Sequence, residues 1–260
     1  MVKNLNILFC LLCVLLFVGC QDQESNDEII NIEEEFNIEI TEQLGELERS
    51  LIFNVTTIDA FDCLNYKIDC SCVQAPSIAT LYIEEIIEPA ECLTGIATAN
   101  CQSVLENLQL GETPFRIVIK EAVINNGTIT KTATDYSIDL ETKHGIGTYR
   151  NELKVIPDNM IWVSVTSDNQ EQSIGLNATL EAYLSTHIVP QLNNGYYGYF
   201  TIIDKELHFQ ETKGTHYVNT YYFELEGEKL LENLKEVADV LRSEFTEVDL
   251  DLYTSEGIKF

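Results

Sequence analysis

Cysteines are the residues of this sequence best suited to covalent chemistry, and Cys20 has the most informative surroundings. It follows an apolar run from Ile7 to Val18, with Lys3 before the run and the small residue Gly19 directly before the cysteine. A charged start, a short apolar stretch and a small-residue processing site are typical of an export signal. The run is shorter than the roughly 20 apolar residues that a membrane-spanning helix needs. We therefore expect residues 1–19 to be a signal peptide; an uncleaved signal anchor and a secretory signal with a chance cysteine are the alternatives.

The residues Phe-Val-Gly-Cys that end at Cys20 resemble the lipobox of bacterial lipoproteins, although Phe17 stands where Leu is more usual. The resemblance implies a diacylglyceryl thioether on Cys20, cleavage before it, and acylation (palmitate, for example) of the new amino terminus. Several acyl chains hold a protein on a membrane durably, because each buried methylene contributes about 0.8 kcal/mol. We therefore expect Cys20 to be a lipid anchor.

The residues after Cys20 read QDQESNDEIINIEEE. They resemble the acidic stretch that follows the anchor cysteine in surface lipoproteins of the Bacteroidota. The resemblance implies attachment to the bacterial outer membrane with the protein displayed on the outer face. An acidic tether facing the periplasm is the alternative.

The remaining cysteines of the exported chain lie close together in the sequence: Cys63, Cys70, Cys72, Cys92 and Cys101. Five thiols in an oxidising compartment predict two disulfides and one leftover thiol. Cys92 with Cys101, and Cys63 with Cys70 or Cys72, are candidate pairs, but spacing alone does not fix the connectivity. A zinc site needs ligand pairs such as Cys-x-x-Cys. The sequence has Cys-Ser-Cys instead, so we expect no metal.

The net charge of the chain restricts the classes of partner that it can bind. It has 43 acidic against 15 basic residues, a formal net charge of −28 at pH 7. Nucleic-acid binding depends on neutralising phosphates with Lys and Arg, so this class of partner is excluded. Cationic or neutral partners fit the charge, but it selects no particular one.

Evidence for an enzyme is thin. The histidines are His144, His187, His208 and His216, and none lies in a His-Glu-x-x-His motif. Neither a Gly-x-Ser-x-Gly motif nor a Gly-rich phosphate loop occurs. Carboxylates are too numerous for any pair to stand out as acid and base. We expect a non-enzymatic protein without a cofactor; a hydrolase without a recognisable motif is a further alternative.

After the signal peptide, the sequence divides into three segments that carry the residues named above. Residues 20–48 predict an acidic tether that is partly helical, because its apolar residues recur at spacings of three and four: Ile29, Ile32, Phe36, Ile40, Leu44 and Leu47. Residues 49–150 carry short runs with period two, typical of a β-sandwich. Within them, Asn-Asn-Gly at 125–127 predicts a hairpin turn. The stretch from Leu105 to Leu140 resembles the later strands of Ig-like domains in Bacteroidota lipoproteins, which implies a spacer or binding module.

Residues 157–260 predict an α+β domain, after a turn at Pro157 and Asp158. The order is strand, helix, two strands with a hairpin at Asp204-Lys205, a strand, a helix and a final strand. Asn177 is the expected N-cap of the first helix. This order suits a ferredoxin-like fold, with both helices on one face of an antiparallel sheet. The predicted fold class is therefore mixed: an all-β Ig-like sandwich followed by an α+β ferredoxin-like domain.

Alternation along the predicted strands defines a second sheet face. Ile161, Val163 and Val165 would face the helices, as would alternate residues of the last strand. The opposite face would be open and carry aromatic rings beside carboxylates: Trp162, Tyr197, Tyr199, Tyr222, Tyr253, Asp249 and Asp251. Rings can cover the C–H patch of a sugar while carboxylates accept its hydroxyls. The interpretation we favour is that this face packs on the sandwich or on a partner protein, because large apolar patches seldom stay bare. A ligand platform is the alternative, and a different phase of the strands is a further one.

Together these patterns predict a lipid-anchored, non-enzymatic protein of the cell envelope that binds an envelope protein partner. A surface glycan-binding protein that uses the aromatic face is the alternative.

Overall fold

The structure is a computed structural model. It describes residues 33–45, 48–185, 187–209, 217–224 and 228–260. The signal peptide and the lipid anchor predicted at residues 1–20 lie outside this part of the chain, as does His216. The described residues form sixteen strands and two helices, and neither helix is long and apolar enough to cross a lipid bilayer.

Ten strands make up the larger sheet, in the order β10-β8-β7-β6-β4-β3-β5-β2-β1-β9. Their bounds are β1 Phe36–Gln43, β2 Ser50–Cys63, β3 Lys67–Ala75, β4 Ile78–Ile87, β5 Thr94–Leu105, β6 Gly111–Ile119, β7 Val123–Lys131, β8 Asp135–Leu140, β9 Ile146–Arg150 and β10 Glu152–Lys154. Most neighbours are antiparallel, but β1 runs parallel to β9, β4 to β6 and β3 to β5. The order of the strands follows neither a single meander nor the order of the chain.

This sheet folds back on itself to enclose one core. Phe53 in β2 stacks on Phe115 in β6, with ring centroids 5.2 Å apart, although β4, β3 and β5 lie between these strands in the sheet. Buried residues of all ten strands belong to one hydrophobic cluster. The prediction of an all-β sandwich is therefore confirmed.

The predicted helical character of the tether is wrong for Phe36–Gln43, which form β1. Phe36, Ile38 and Ile40 are all buried, whereas the residues between them are half-buried. A helix would have turned Ile38 away from the face that carries Phe36 and Ile40. Pairing with β2 along its whole length and with β9 on the other side buries the apolar face of β1 as a strand.

The hairpin predicted at Asn-Asn-Gly is also wrong, because these residues lie inside β7. The turn before β7 is made instead by Lys120 and Glu121, at φ of 50° and 55°. Asn125 is buried and its Nδ2 donates to the carbonyl oxygen of His144 at 2.9 Å. Gly127 is required by close packing, since a Cβ there would lie 3.0 Å from the Cα of Leu140.

The C-terminal half contains two small sheets and both helices. The first sheet has the order β15-β11-β16, with β11 Met160–Ser167, β15 Tyr217–Glu224 and β16 Val248–Thr254. The second has the order β12-β13-β14, with β12 Gly195–Tyr196, β13 Phe200–Ile203 and β14 Glu206–Phe209. The helices are α1 Gln170–Leu184 and α2 Glu228–Glu244. The predicted hairpin at Asp204 and Lys205 joins β13 to β14.

Two expectations for this half need correction. The predicted single antiparallel sheet is replaced, in the described residues, by two three-stranded sheets, because β13 and β14 pair with β12 and not with β15. Helix α1 begins seven residues before the predicted cap at Asn177. Asn169 is the N-cap, and its side chain accepts hydrogen bonds from the amides of Glu171 and Gln172.

The helix-facing side of the sheet follows the predicted alternation. Ile161, Val163 and Val165 are buried against Leu176 and Leu180 of α1, with residues of α2 and β16 in the same cluster. The opposite side carries Trp162, and β13 and β14 pack onto it.

Candidate functional site

The face expected to be open is covered. Trp162 is 1% exposed and belongs to a cluster with Phe200 and Ile202 of β13 and Leu207 of β14. Its ring stacks on that of Tyr253, with centroids 5.8 Å apart and an interplanar angle of 7°. No sugar can reach the indole, so the alternative of a glycan platform centred on Trp162 is wrong. The face is packed, but the sheet β12-β13-β14 covers it directly. The sheet β12-β13-β14, placed on this face instead of beside β15, is the physical reason.

Two other predicted platform residues hold this cover in place. Tyr197 is buried, its hydroxyl donates to the carbonyl oxygen of Asn193 at 3.1 Å, and burial raises its pKa to about 12. Tyr199 is 39% exposed, yet its hydroxyl donates to the carbonyl oxygen of Glu42 at 2.9 Å. Tyr199 therefore ties the covering segment to β1 of the larger sheet.

The remaining predicted residues lie on β16 and β15. Tyr253 is half-buried, and Lys259 lies over its ring at 5.1 Å. Lys259 Nζ forms an ion pair with Asp251 Oδ2 at 3.0 Å. The hydrogen bond between these two side chains raises the pKa of Lys259. Asp249 is exposed and lies on the adjacent pleat of the same strand. Tyr222 is described with the β15 cleft below.

A buried ion pair that the sequence did not reveal lies between the two halves. Arg49, just before β2, donates to Glu42 of β1 with Nη1 3.4 Å from Oε2, and to Asp158 with Nη2 2.8 Å from Oδ1. The same guanidinium donates to the carbonyl oxygen of Ile156 and lies 3.5 Å from that of Ser255. One side chain thus joins β1 to the segments that begin and end the C-terminal half.

Glu42 is unusual among the many carboxylates because its side chain is fully buried. Its Oε1 accepts a hydrogen bond from the hydroxyl of Tyr136 at 3.0 Å. Burial raises the pKa of Glu42, although Arg49 and the Tyr136 hydrogen bond act in the opposite direction. Assigning Phe36–Gln43 to a strand would have identified it, since Glu42 then falls on the face of Phe36, Ile38 and Ile40.

Two disulfides are present, with a different pairing from the candidates. Cys63 pairs with Cys92, and Cys70 pairs with Cys101, at Cα–Cα distances of 5.3 and 6.3 Å. Strand order explains the pairing, which sequence separation did not. Cys63 lies opposite Thr94 at the start of β5, and β3 lies next to β5. The second disulfide joins two strands whose ladder contains a single residue pair.

Cys72 is the leftover thiol. It is half-buried on β3, and desolvation raises its pKa to about 11. A thiol with so little thiolate at neutral pH is a poor nucleophile and a poor metal ligand. In the described part of the chain, no group of three or more His, Cys, Asp or Glu side chains is placed to hold a metal ion.

One cavity of the C-terminal half lies between β14 and β15. We call it the β15 cleft; it has a volume of about 500 Å³. Its lining includes His208, Phe209, Asn219, Thr220 and Tyr222. Thr220 Oγ1 donates to the carbonyl oxygen of Leu207 at 2.5 Å, and the Tyr222 hydroxyl to that of Lys205 at 3.2 Å, so both walls are held together.

The second cavity lies on the other side of β15, against helix α1. We call it the α1 groove; it has a volume of about 410 Å³. Ile174 and Tyr217 line it and are 61% and 43% exposed. The Tyr221 hydroxyl contacts Asn177 Oδ1 at 3.1 Å and Glu181 Oε1 at 3.2 Å, which fixes α1 over the sheet. This groove presents apolar side chains to solvent on a rigid support.

Comparison of the chain with protein-family models, with curated proteins and with solved structures finds no match.

Proposed function

We propose that this chain is a lipid-anchored protein of the bacterial outer membrane that acts by binding another envelope protein and catalyses no reaction. The lipobox resemblance at Cys20 supports the anchor, and the acidic stretch after it supports display on the outer face. Two disulfides among residues 63–101 fit an exported protein.

The single observation that carries the binding function is the α1 groove. Apolar side chains at the rim of a groove, held on a helix and a strand, are what protein partners cover. Ile174 and Tyr217 have this arrangement. The Arg49 ion pairs and the buried Trp162 cluster fix the C-terminal half against the sandwich, so the groove would be presented rigidly.

We interpret the sandwich as an Ig-like spacer and the C-terminal half as a ferredoxin-like module with one strand displaced. In support of this interpretation, β15 and β16 flank β11, and α1 and α2 pack on one face of that sheet. In this interpretation a further strand, from the part of the chain between α1 and β15, would lie beside β15. The β13–β14 hairpin comes from that part of the chain but belongs to the covering sheet β12-β13-β14 instead.

The anchor is tested by fractionating cells that express the Cys20→Ala variant. Release of the variant into the soluble fraction is expected, because the acyl chains then have no attachment point. Cys72→Ala removes a different thiol and should stay with the outer membrane. Retention of Cys20→Ala in the membrane contradicts the anchor. Proteinase digestion of intact cells then separates outer-face display, which predicts cleavage, from a periplasmic orientation.

The partner is tested by cross-linking intact cells that carry the tagged, lipidated protein, followed by affinity purification and mass spectrometry. A stoichiometric envelope protein, absent when the tag is omitted, is the expected result. Purification of the tagged protein alone contradicts the assembly function.

A second candidate function, glycan binding, is favoured by the β15 cleft. Its volume suits a small polar ligand, and Tyr222 and Phe209 offer rings next to the polar side chains of His208 and Asn219. A glycan array probed with the full chain tests this function. Binding that is lost in Tyr222→Ala and kept in Tyr149→Ala, a 79% exposed ring on the sandwich, supports it; an array without signal contradicts it.

A further inference from the structure

Strand β15 lies at one end of its sheet, and no described strand pairs with its second edge. The amide of Glu224 donates to the carbonyl oxygen of Ile188, pointing away from β11. In an antiparallel pair, alternate residues direct their backbone groups to the same side. Val218, Thr220 and Tyr222 therefore also point away from β11, and no described residue forms a backbone hydrogen bond with them at this edge. An edge of this kind is a template for pairing with another chain.

The two cavities lie on opposite faces of this edge. The α1 groove is on the helix side, and the β15 cleft is on the β14 side. Val218 and Asn219 line both cavities. Successive side chains of a strand point to opposite faces of its sheet, so a strand added at this edge would place alternate side chains into the two cavities. Free backbone groups and two flanking cavities are independent features that select the same occupant.

The charge of the lining indicates what that occupant is. Glu181 lines the α1 groove and Glu206 lines the β15 cleft, whereas Lys205 is the single Lys or Arg among the described residues that line them. Glu171 lies next to the α1 groove, because it lines a neighbouring cavity together with Gln170 and Ile174, which also line the groove. With a formal charge of −28 on the whole chain, this edge favours a cationic segment.

We propose that β15 binds an extended, cationic segment of a partner protein by strand addition. The segment bonds to the backbone of Val218, Thr220 and Tyr222 and places alternate side chains in the α1 groove and the β15 cleft. This inference rests on the proposed protein-binding function and names its site and the chemistry of the partner.

The probe is a library of random dodecapeptides displayed on phage, selected in parallel on the full chain and on its Val218→Pro variant. Proline removes the outward amide of Val218 and leaves the bonds of β15 to β11 in place. Peptides rich in Lys or Arg should be enriched on the wild type and not on the variant. No enrichment on the wild type, or equal enrichment on both, overturns the proposal.

A second pair of variants serves if Val218→Pro fails to fold. Ile174→Lys adds a positive charge at the groove, and Val240→Lys makes the same change at a site of matched exposure on α2, 60% against 61%. A selected peptide should bind Ile174→Lys at least ten-fold more weakly than the wild type and Val240→Lys equally well. Equal weakening of both variants contradicts binding at this edge.

Amide hydrogen exchange by NMR distinguishes strand addition from docking of side chains. On adding the peptide, exchange at Val218, Thr220 and Tyr222 should slow at least ten-fold, while Asn219 and Tyr221, already bonded to β11, stay slow. Binding without protection of the first three amides overturns strand addition. If intact cells yield an envelope partner but these experiments fail, the proposed function stands and this mode of binding falls.

Discussion

Arg49 holds Glu42 across the boundary between the sandwich and the C-terminal half, with Nη1 3.4 Å from Oε2. The Glu42 side chain is fully buried and that of Arg49 is 17% exposed. Because the same guanidinium also bonds to Asp158 and to the carbonyl oxygen of Ile156, this pair is where β1 and the start of β11 are fixed together.

Replacing Arg49 with methionine should destabilise the protein by about 3–5 kcal/mol, because it leaves a buried carboxylate without its cation. Chemical denaturation measures the change. Arg150→Met is the matched control, since its ion pair with Glu39 lies at the surface and should contribute under about 1 kcal/mol. Similar losses in both variants would mean that the Arg49–Glu42 pair does not fix this boundary.

Glu42 should make the stability of the wild type depend on pH. Burial raises its folded-state pKa above the ordinary value of 4.5, so the folded state binds this proton more tightly than the unfolded state does. The stabilisation from the protonated form is complete below the unfolded pKa and is lost as pH rises through the folded pKa. The free energy of unfolding of wild type minus that of Glu42→Gln should therefore fall as pH rises above the ordinary value of 4.5.

Glu39→Gln provides the control for that titration, because it removes a half-buried carboxylate from the same strand and changes the net charge equally. Its difference from wild type should not follow the Glu42→Gln curve. A Glu42→Gln difference that is flat, or that grows with pH, contradicts a raised pKa.

Trp162 should behave as a core residue. It is the single tryptophan of the chain, so its fluorescence reports on this site alone. We expect blue-shifted emission that iodide quenches poorly, and a loss of about 3–5 kcal/mol of stability in Trp162→Ala. Tyr149→Ala, at a 79% exposed ring, should change stability by about 0.5 kcal/mol or less. Emission typical of a water-exposed indole would contradict the covered face.

Cys72 should be the slow thiol. With a pKa of about 11, about one thousandth of it is thiolate at pH 8, so maleimide should label the folded protein at least about 100-fold more slowly than an unperturbed cysteine. In denaturant without reductant, peptide mapping should find the label at Cys72. Labelling of Cys63, Cys70, Cys92 or Cys101 before reduction would contradict the disulfide pairing.

The sequence predicts the elements of this fold better than their arrangement. The sequence predicts β11 and β16 correctly, including which of their residues face the helices. The reason is that one face of each strand is consistently apolar. The prediction for Phe36–Gln43 is wrong because Phe36 and Ile40, four residues apart, fit the period of a helix as well as that of a strand. Only Ile38, which does not belong to the helical pattern, distinguishes a strand from a helix.

The site was harder to predict for a related reason. Disulfide pairing, the burial of Trp162 and the position of β15 at the end of its sheet, as far as the described strands go, all follow from which strands become neighbours. Strand order is set by long-range packing and leaves no local pattern in the sequence. Alternation along β15 places Tyr222 on the face opposite the helices, in register with Trp162, as predicted. The α1 groove at Ile174 and Tyr217 could not be predicted in this way, because it lies where no described strand pairs with the second edge of β15.

The most direct test of the account replaces Ile174 with a photoreactive benzoylphenylalanine and irradiates intact cells. The control carries the same residue at Val240, which has matched exposure on α2. We expect a cross-linked species of one defined mass from position 174 that is absent from position 240. No adduct from either position, or the same adducts from both, would contradict a partner bound between α1 and β15.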